Sequence, residues 1–185
     1  LPAFENKDGA SSHINASLQC LLSYEPLRSA LRRSAGDSAL KSMADQFAKA
    51  KTTISPRNVL LDAGAQLPQG KQEATEFLKK LINQNKSLQD ITQFTEVRAR
   101  KCDTCSYETN DPMNNHVLQL PVIEKENNIS RLLQNIFSWS HLEDSVCGSC
   151  NVGRYLQRTL IQNTSNVLII QLKFRKKVKG QMVKN

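Results

Sequence analysis

The sequence lacks any hydrophobic run long enough to cross a membrane. Its longest apolar run, at residues 167–170, is four residues long, whereas a membrane-spanning helix needs about 20. Residues 1–12 contain no apolar segment of the kind that a signal peptide requires. We therefore expect no membrane association and a location inside the cell, cytoplasmic or nuclear or both, where thiols stay reduced. The chain begins at Leu1 rather than at a methionine, so the interpretation that it is a fragment of a longer protein stays open.

The sequence has an excess of positive charge. Lys and Arg number 25 against 17 Asp and Glu, a formal net charge of +8, in a chain of 185 residues with an ordinary 39% of hydrophobic residues. This length and composition indicate a single globular domain or a large piece of one. The excess of positive charge favours an acidic partner, and charge alone leaves open whether that is nucleic acid, an anionic membrane or an acidic protein surface.

The number of cysteines is odd, which disfavours a framework of disulfides. Five are present, and four of them form two Cys-x-x-Cys pairs, Cys102 with Cys105 and Cys147 with Cys150. Two intervening residues allow both thiolates of a pair to reach one ion from a tight turn, and two pairs complete a tetrahedral shell. The pattern predicts a structural Zn²⁺ site without an open position, and four reduced core cysteines paired by chance are the alternative.

The distance between the two pairs in sequence indicates how such a site is built. Between Cys105 and Cys147 lie 41 residues, which is long for a compact zinc ribbon. We expect two hairpins from distant parts of the chain that share one ion at their tips. Zinc would then supply folding free energy to an extended β element that has little core of its own.

Apolar residues recur at helical spacing over the first ninety residues, where five helices are predicted. Start signals accompany them, namely Ser12 as a cap of the first, Pro26 in the second, Ser38 as a cap of the third, Pro56 at the fourth and Gly70 before the fifth. From about residue 90 the composition becomes that of strands, which we predict at residues 92–98, 117–122, 155–162 and 167–172. One helix interrupts them, with Ser130 as its cap and an inward face of Leu132, Leu133, Ile136 and Phe137. Helices followed by strands indicate an α+β fold.

The C-terminal region is strongly basic. The run comprises Lys173, Arg175, Lys176, Lys177, Lys179 and Lys184. A solvated edge strand is the simpler interpretation, because lysines discourage pairing with other sheets. Contact with nucleic acid or an acidic protein is the alternative. Nucleic acid is disfavoured because the run has no interleaved aromatic residues on which bases would stack.

Four segments carry a resemblance to one protein family, namely residues 9–21, residues 72–78, the two cysteine pairs and residues 166–174. In this order they resemble the ubiquitin-specific protease family, also called ubiquitin carboxyl-terminal hydrolases. Residues 9–21, GASSHINASLQCL, are similar to the family's cysteine box GNTCYMNAxLQCL, and residues 72–78, QEATEFL, to its QDAxEFL segment. The two cysteine pairs fall where many members hold zinc, and residues 166–174, NVLIIQLKF, are similar to a strand ending in LKRF. The resemblance implies a papain-like fold with a helical thumb over residues 1–90. Fingers with the zinc site, and the start of an incomplete palm, would occupy residues 91–185.

The departures from the family's pattern imply a chain that does not cut peptide bonds. Ser12 stands at the position of the nucleophilic cysteine and Ala10 at that of the asparagine that helps hold the oxyanion. A serine hydroxyl is far less acidic than a thiol, and loss of one oxyanion donor costs about 10²–10³ in rate in a well-studied enzyme. His13 follows Ser12 directly, and adjacent helical side chains point about 100° apart. The family's histidine box would lie beyond Asn185.

Further roles follow from the same resemblance. Gln72 and Glu73 correspond to positions that guide the ubiquitin tail, with solvated helix residues as the alternative. Cys20 matches the second cysteine of the box and is expected to be a small, buried, inert residue. His116 and His141 are expected to be surface or packing residues.

Three interpretations of function are open at this point. The first is a pseudoenzyme of the deubiquitination system whose partners are ubiquitin or a ubiquitinated protein, and a protein that covers the incomplete palm; its active relatives are thiol proteases. The second is a zinc-ribbon module for nucleic acid or an acidic protein, with binding that weakens steeply with salt. The third is an active hydrolase completed by sequence outside this chain. The second leaves the helical half without a role.

Overall fold

The chain folds into two compact units of different composition. A computed structural model describes residues 2–6, 12–35, 38–49, 53–62, 74–122, 128–142, 145–178 and 181–184. The units are Leu1–Thr92 and Gln93–Asn185. Helices make up the regular structure of the first, and strands with one helix that of the second. The predicted mixture of helices and strands is confirmed.

Six helices form the described part of the first unit. They are α1 (Ser12–Ser23), α2 (Glu25–Arg33), α3 (Ala39–Lys49), α4 (Arg57–Asp62), α5 (Ala74–Gln84) and α6 (Lys86–Thr92). Two predicted start signals are confirmed: Pro26 lies in the first turn of α2, and the Ser38 hydroxyl accepts the N–H of Lys41 at 3.1 Å at the start of α3. No helix in the described ranges is both long and apolar enough to span a bilayer.

The apolar stripes of these helices form the core of the first unit. On α5 the apolar stripe of Phe77, Leu78, Leu81 and Ile82 is buried in full. Leu18 and Leu22 of α1 and Leu31 of α2 are completely buried. Complete burial of a side chain of this size stabilises a fold by about 1.5–3 kcal/mol. The core therefore follows from the local spacing of apolar residues.

Two expectations for the first unit are wrong. Cys20 is exposed rather than buried, because it follows Leu18 by two positions, about 200° around α1, and so faces away from the buried stripe. Thr92 ends α6 rather than opening a strand, and its hydroxyl donates to the carbonyl of Leu88 at 2.7 Å. Gly70 lies outside the described residues.

The second unit contains one larger sheet and two small ones among its described residues. The strands are β1 (Phe94–Cys102), β2 (Glu108–Asn115), β3 (Val117–Pro121), β4 (Ser140–His141), β5 (Tyr155–Gln162), β6 (Ile169–Lys173), β7 (Arg175–Val178) and β8 (Gln181–Lys184), with helix α7 (Ile129–Phe137) between β3 and β4. The larger sheet is antiparallel in the order β2-β1-β5-β4. Strands β3 and β6 pair in parallel, and β7 and β8 form an antiparallel pair.

The strand predictions are confirmed in part. β5 has the predicted bounds, β1 begins at Phe94 and β6 begins at Ile169. The sequence does not indicate β2, because its residues, ETNDPMNN, are mostly polar and include Pro112. β2 is an edge strand, and an edge is where a sheet tolerates proline. Its partner β1 therefore decides its conformation.

Helix α7 has a different cap and a smaller buried face than predicted. The side chain of Asn128, not Ser130, caps the helix, by accepting the N–H of Ser130 at 2.9 Å. Leu132 is buried, whereas Phe137 is exposed at 36%. Both Asn and Ser suit this position, so composition alone does not choose between them.

Candidate metal centre

Four cysteine sulfurs of the second unit converge on one point. The Sγ atoms of Cys102, Cys105, Cys147 and Cys150 all lie within 4.8 Å of one another. Those of Cys102 and Cys150 are 3.7 Å apart, and those of Cys105 and Cys147 are 3.8 Å apart. Four thiolates bound at about 2.3 Å to one tetrahedral ion would be separated by about 3.8 Å. The spacing and chemistry of the donors therefore fit a single metal ion.

The pairing of β1 with β5 brings the two cysteine pairs together. Cys102 ends β1 and lies opposite Tyr155, which begins β5. The turn after β1 and the turn before β5 therefore meet at one end of the sheet. The first turn belongs to the hairpin of β1 and β2, and the second to the hairpin of β4 and β5. This geometry accounts for cysteine pairs that lie far apart in sequence.

Backbone N–H groups surround the sulfurs. Cys102 Sγ accepts the N–H of Thr104 at 3.3 Å and that of Cys105 at 3.4 Å. In the second turn, Ser149 donates to Cys147 Sγ at 3.4 Å and Gly153 donates to Cys150 Sγ at 3.3 Å. Hydrogen bonds of this kind favour the charged form of an acceptor. Both turns are thus arranged to stabilise thiolates.

The pKa values of Cys105, Cys147 and Cys150 are shifted in different directions. The hydrogen bond from the backbone N–H of Cys150 lowers the pKa of Cys147 to about 6, and the one from Gly153 lowers the pKa of Cys150. At Cys105 the backbone N–H of Tyr107 acts in the same direction, but desolvation and the neighbouring thiols raise the pKa to about 11. Like charges this close oppose joint ionisation. A bound cation would remove that opposition, since a coordinating thiol is deprotonated.

Gly153 is a residue of the centre that the sequence does not single out. A Cβ atom there would meet Thr104 Oγ1 at 2.6 Å and Asp103 Oδ1 at 2.8 Å, with Cys102 Sγ closer still. The absence of a side chain lets the backbone of the second turn approach the first. Its carbonyl also accepts the N–H of Cys147 at 2.7 Å. No local signal in the sequence reveals this requirement, because the atoms it must avoid lie about fifty residues away.

Two further residues support the centre from outside the sulfur cluster. Asp103 joins the turns, since its Oδ1 accepts the N–H of Arg154 at 2.9 Å and its own N–H donates to the Arg154 carbonyl at 3.0 Å. The hydrogen bonds from the Thr104 hydroxyl and the Arg154 N–H lower the pKa of Asp103. The Tyr155 hydroxyl accepts the N–H of Gly148 at 3.0 Å and helps to lower the pKa of Cys147. Such outer contacts orient metal ligands.

The other residues selected from the sequence are only partly described. Ser12 is exposed at the start of α1, and Nε2 of His13 is buried without a hydrogen-bond partner in the part of the chain described. The structure thus forms no hydrogen bond between Ser12 and His13 Nε2. His141 is exposed in β4, and His116 is half-buried. Ala10, Gln72 and Glu73 lie outside the described residues.

The fold and the site define a protein of helices and strands whose β unit brings four cysteines close enough to hold a metal ion. Residues 28–184 match the family described as ubiquitin carboxyl-terminal hydrolase. The match covers most of the sequence, and the chain therefore belongs to this family. No curated protein matches the chain.

Proposed function

We propose that the chain is a ubiquitin-recognising domain of the deubiquitination system that does not hydrolyse peptide bonds by itself. The family match over residues 28–184 carries this proposal, because members of a ubiquitin hydrolase family act on ubiquitin or ubiquitinated proteins. Lack of activity rests on Ser12 and Ala10, which stand where the resemblance implies a cysteine nucleophile and an oxyanion donor. In this proposal the first unit is the thumb, and the second forms the fingers and the start of the palm.

The chemistry at Ser12 supports the loss of activity. Acyl transfer by a hydroxyl needs a base within hydrogen-bond reach, and that base needs an orienting group. The histidine beside Ser12 in sequence is His13, whose Nε2 is buried and makes no hydrogen bond within the described ranges. The methyl group of Ala10 has no proton to donate to an oxyanion. A serine whose adjacent histidine does not act as its base, beside a weakened oxyanion hole, is a poor nucleophile.

We also propose that the ion in the cysteine cluster is Zn²⁺ and that its role is structural. Cys102, Cys105, Cys147 and Cys150 would be its ligands, and four thiolates leave no position for water or substrate. Zinc is the common ion for such a set of soft donors. Reduced cysteines of this kind suit the cytoplasm or nucleus. Metal analysis of the purified chain should find one zinc per molecule, and a different metal or none would contradict this part of the proposal.

Binding to ubiquitin is the direct test of function. The isotopically labelled chain would be titrated with ubiquitin, and chemical-shift changes followed by NMR. We expect saturable changes that become smaller in Glu73→Gln, whereas the matched variant Glu76→Gln, an exposed carboxylate on α5, should bind like the parent chain. The absence of any shift change at millimolar ubiquitin would exclude the recognition role.

Activity needs a test that allows for the exposed thiol of Cys20. A thiol-directed electrophile attached to ubiquitin would label Cys20 without any active site, because this cysteine is exposed. The assay should therefore use Cys20→Ser, which we expect to remain unlabelled and to leave a ubiquitin fusion intact. Cleavage that disappears in Ser12→Ala would instead identify a serine-dependent hydrolase and refute the proposed inactivity.

A further inference from the structure

We propose that the second unit contains a binding site for a carboxylate of an acidic peptide, in a cavity where Arg158 lies against Trp139. The cavity has a volume of about 510 Å³ and lies beside α7 and β5. It is separate from the cysteine centre, and the proposal does not depend on ubiquitin recognition.

The lining of this cavity resembles that of a ligand site. Leu132 and Ile136 of α7 contribute apolar wall, and Asn135, Ser138, Gln157 and Thr159 contribute amide and hydroxyl groups. Ligand pockets in proteins are commonly about 300–1,000 Å³ and combine apolar walls with a few polar groups. The amides and hydroxyls match the hydrogen-bonding groups of a peptide backbone.

Arg158 provides the group that would recognise the ligand. Its Cζ lies 4.5 Å from the centroid of the Trp139 ring, in a cation–π contact that holds the guanidinium in place. Its Nε is buried and has no hydrogen-bond partner in the part of the chain described. A buried donor without an acceptor is unfavourable. An incoming carboxylate would meet the guanidinium group from the cavity, which Arg158 lines.

The local charge also favours an anion. Lys101 Nζ lies 4.6 Å from the same ring centroid, so two cations share one aromatic ring. Within the described residues, neither has a carboxylate ion-pair partner, although Glu108 stands opposite Lys101 in the sheet. Arg158 stands opposite Ala99 and so has no acidic neighbour in register. A ligand carboxylate would lower the repulsion between the two cations.

The chemistry of arginine points to a carboxylate on a peptide. A guanidinium forms two parallel hydrogen bonds with a carboxylate, and one arginine matches its single negative charge. The apolar wall formed with α7 would cover the stem of a Glu side chain or a neighbouring apolar residue. The net charge of +8 would also speed encounter with an acidic segment.

Trp139 provides the measurement because it is the only tryptophan in the chain. Its fluorescence would be recorded in the full chain during titration with a short peptide of alternating Glu and Leu residues. The same peptide with Gln in place of Glu is the ligand control. We expect a saturable change with the Glu peptide and at least tenfold weaker binding of the Gln peptide.

Variants of the chain test whether Arg158 is responsible. Arg158→Gln should weaken binding of the Glu peptide about tenfold or more, as expected for loss of a charge-assisted pair. Arg158→Lys should bind with intermediate affinity, because lysine keeps the positive charge but lacks the planar guanidinium that forms two parallel hydrogen bonds. Arg33→Gln, on an exposed site of α2 in the first unit, makes the same change in net charge and should have no effect. Zinc content and circular dichroism would verify folding, and Arg158→Lys decides the question if Arg158→Gln does not fold.

Three results would overturn the proposal. Equal binding of the Glu and Gln peptides would show that no carboxylate is recognised. Full affinity in Arg158→Lys would show that recognition does not depend on the two parallel hydrogen bonds of the guanidinium group. Displacement of the peptide by inorganic phosphate at comparable concentration would indicate a general anion site.

Discussion

The two units of this chain obtain their stability in different ways. Among the described residues, nine of the twelve largest fully buried side chains lie in the helical unit, and the β unit has only Phe94, Leu118 and Leu120. Along β5, the first seven residues are half-buried and the last is exposed. A unit with a full apolar core needs no cross-link, whereas a sheet with few buried side chains gains most from one. The cysteine centre therefore lies in the unit that has fewer of the largest fully buried side chains.

The largest expected effect is that of metal loss on the β unit. Chelation of zinc, or Cys147→Ser, should unfold the second unit and leave the helices of the first, because structural zinc contributes about 10–16 kcal/mol of apparent binding free energy. Hydrogen exchange by mass spectrometry should show β1 and β5 losing protection while α1 and α5 keep it. Cys20→Ser is the control and should change neither unit. Simultaneous loss of protection in both units would show that their stabilities are linked.

The opposite test removes a core side chain from the helical unit. Leu22→Ala should lower the free energy of unfolding of this unit by about 2–5 kcal/mol, since Leu22 is completely buried. Leu61→Ala, at a residue exposed at 69%, should change it by less than about 0.5 kcal/mol. Urea unfolding followed by circular dichroism would give both values. Release of zinc in Leu22→Ala before the helices unfold would contradict the separation of the two units.

A steric change beside the cysteine centre should have a smaller effect than loss of the metal. Gly153→Ala forces a Cβ atom against Cys102 Sγ and Thr104 Oγ1, and overpacking of this kind costs about 1–3 kcal/mol. Gly148→Ala is the matched control, because its Cβ would meet only Tyr155 Oη, at 3.9 Å. Competition with a chromogenic chelator should show weaker zinc binding for the first variant only. Equal zinc affinity in both variants would disprove the steric role of Gly153.

The smallest expected effect concerns the cap of α7. Asn128→Ala removes the side chain that accepts the N–H of Ser130 and should destabilise the β unit by about 1 kcal/mol. Ser130→Ala should cost no more than a few tenths of a kcal/mol, because its hydroxyl does not cap the helix. Thermal unfolding of the zinc-loaded chain would compare the two variants, and a larger loss for Ser130→Ala would reverse the assignment.

The sequence predicts the helical unit better than the β unit for a physical reason. A helix depends on residues three and four positions apart, so Ser38, Pro26 and the stripe of α5 are visible in the sequence. A strand depends on a partner that is remote in sequence. β2 is polar and contains Pro112, and only its pairing with β1 makes it a strand.

The exposure of individual side chains also depends on the tertiary structure and not on residue type alone. The match of Cys20 to a family motif favours a buried residue, yet its angular position on α1 leaves the thiol exposed. The choice between Asn128 and Ser130 as a cap depends on how the chain enters α7, since both side chains are able to accept the hydrogen bond. Such details depend on a small rotation or shift of the helix, which the residue type does not determine.

By itself, the sequence predicted five of the six described helices of the first unit, the two Cys-x-x-Cys pairs and the resemblance to ubiquitin hydrolases, because each of these signals is carried by short stretches of neighbouring residues. Only the tertiary structure decided that the two cysteine turns meet, that Gly153 must lack a side chain, and that Arg158 stacks on Trp139 beside a cavity. These features join residues that lie far apart in sequence. Pairing of β1 with β5 brings the cysteine turns together, and pairing of β4 with β5 aligns the strand after Trp139 with the one that contains Arg158.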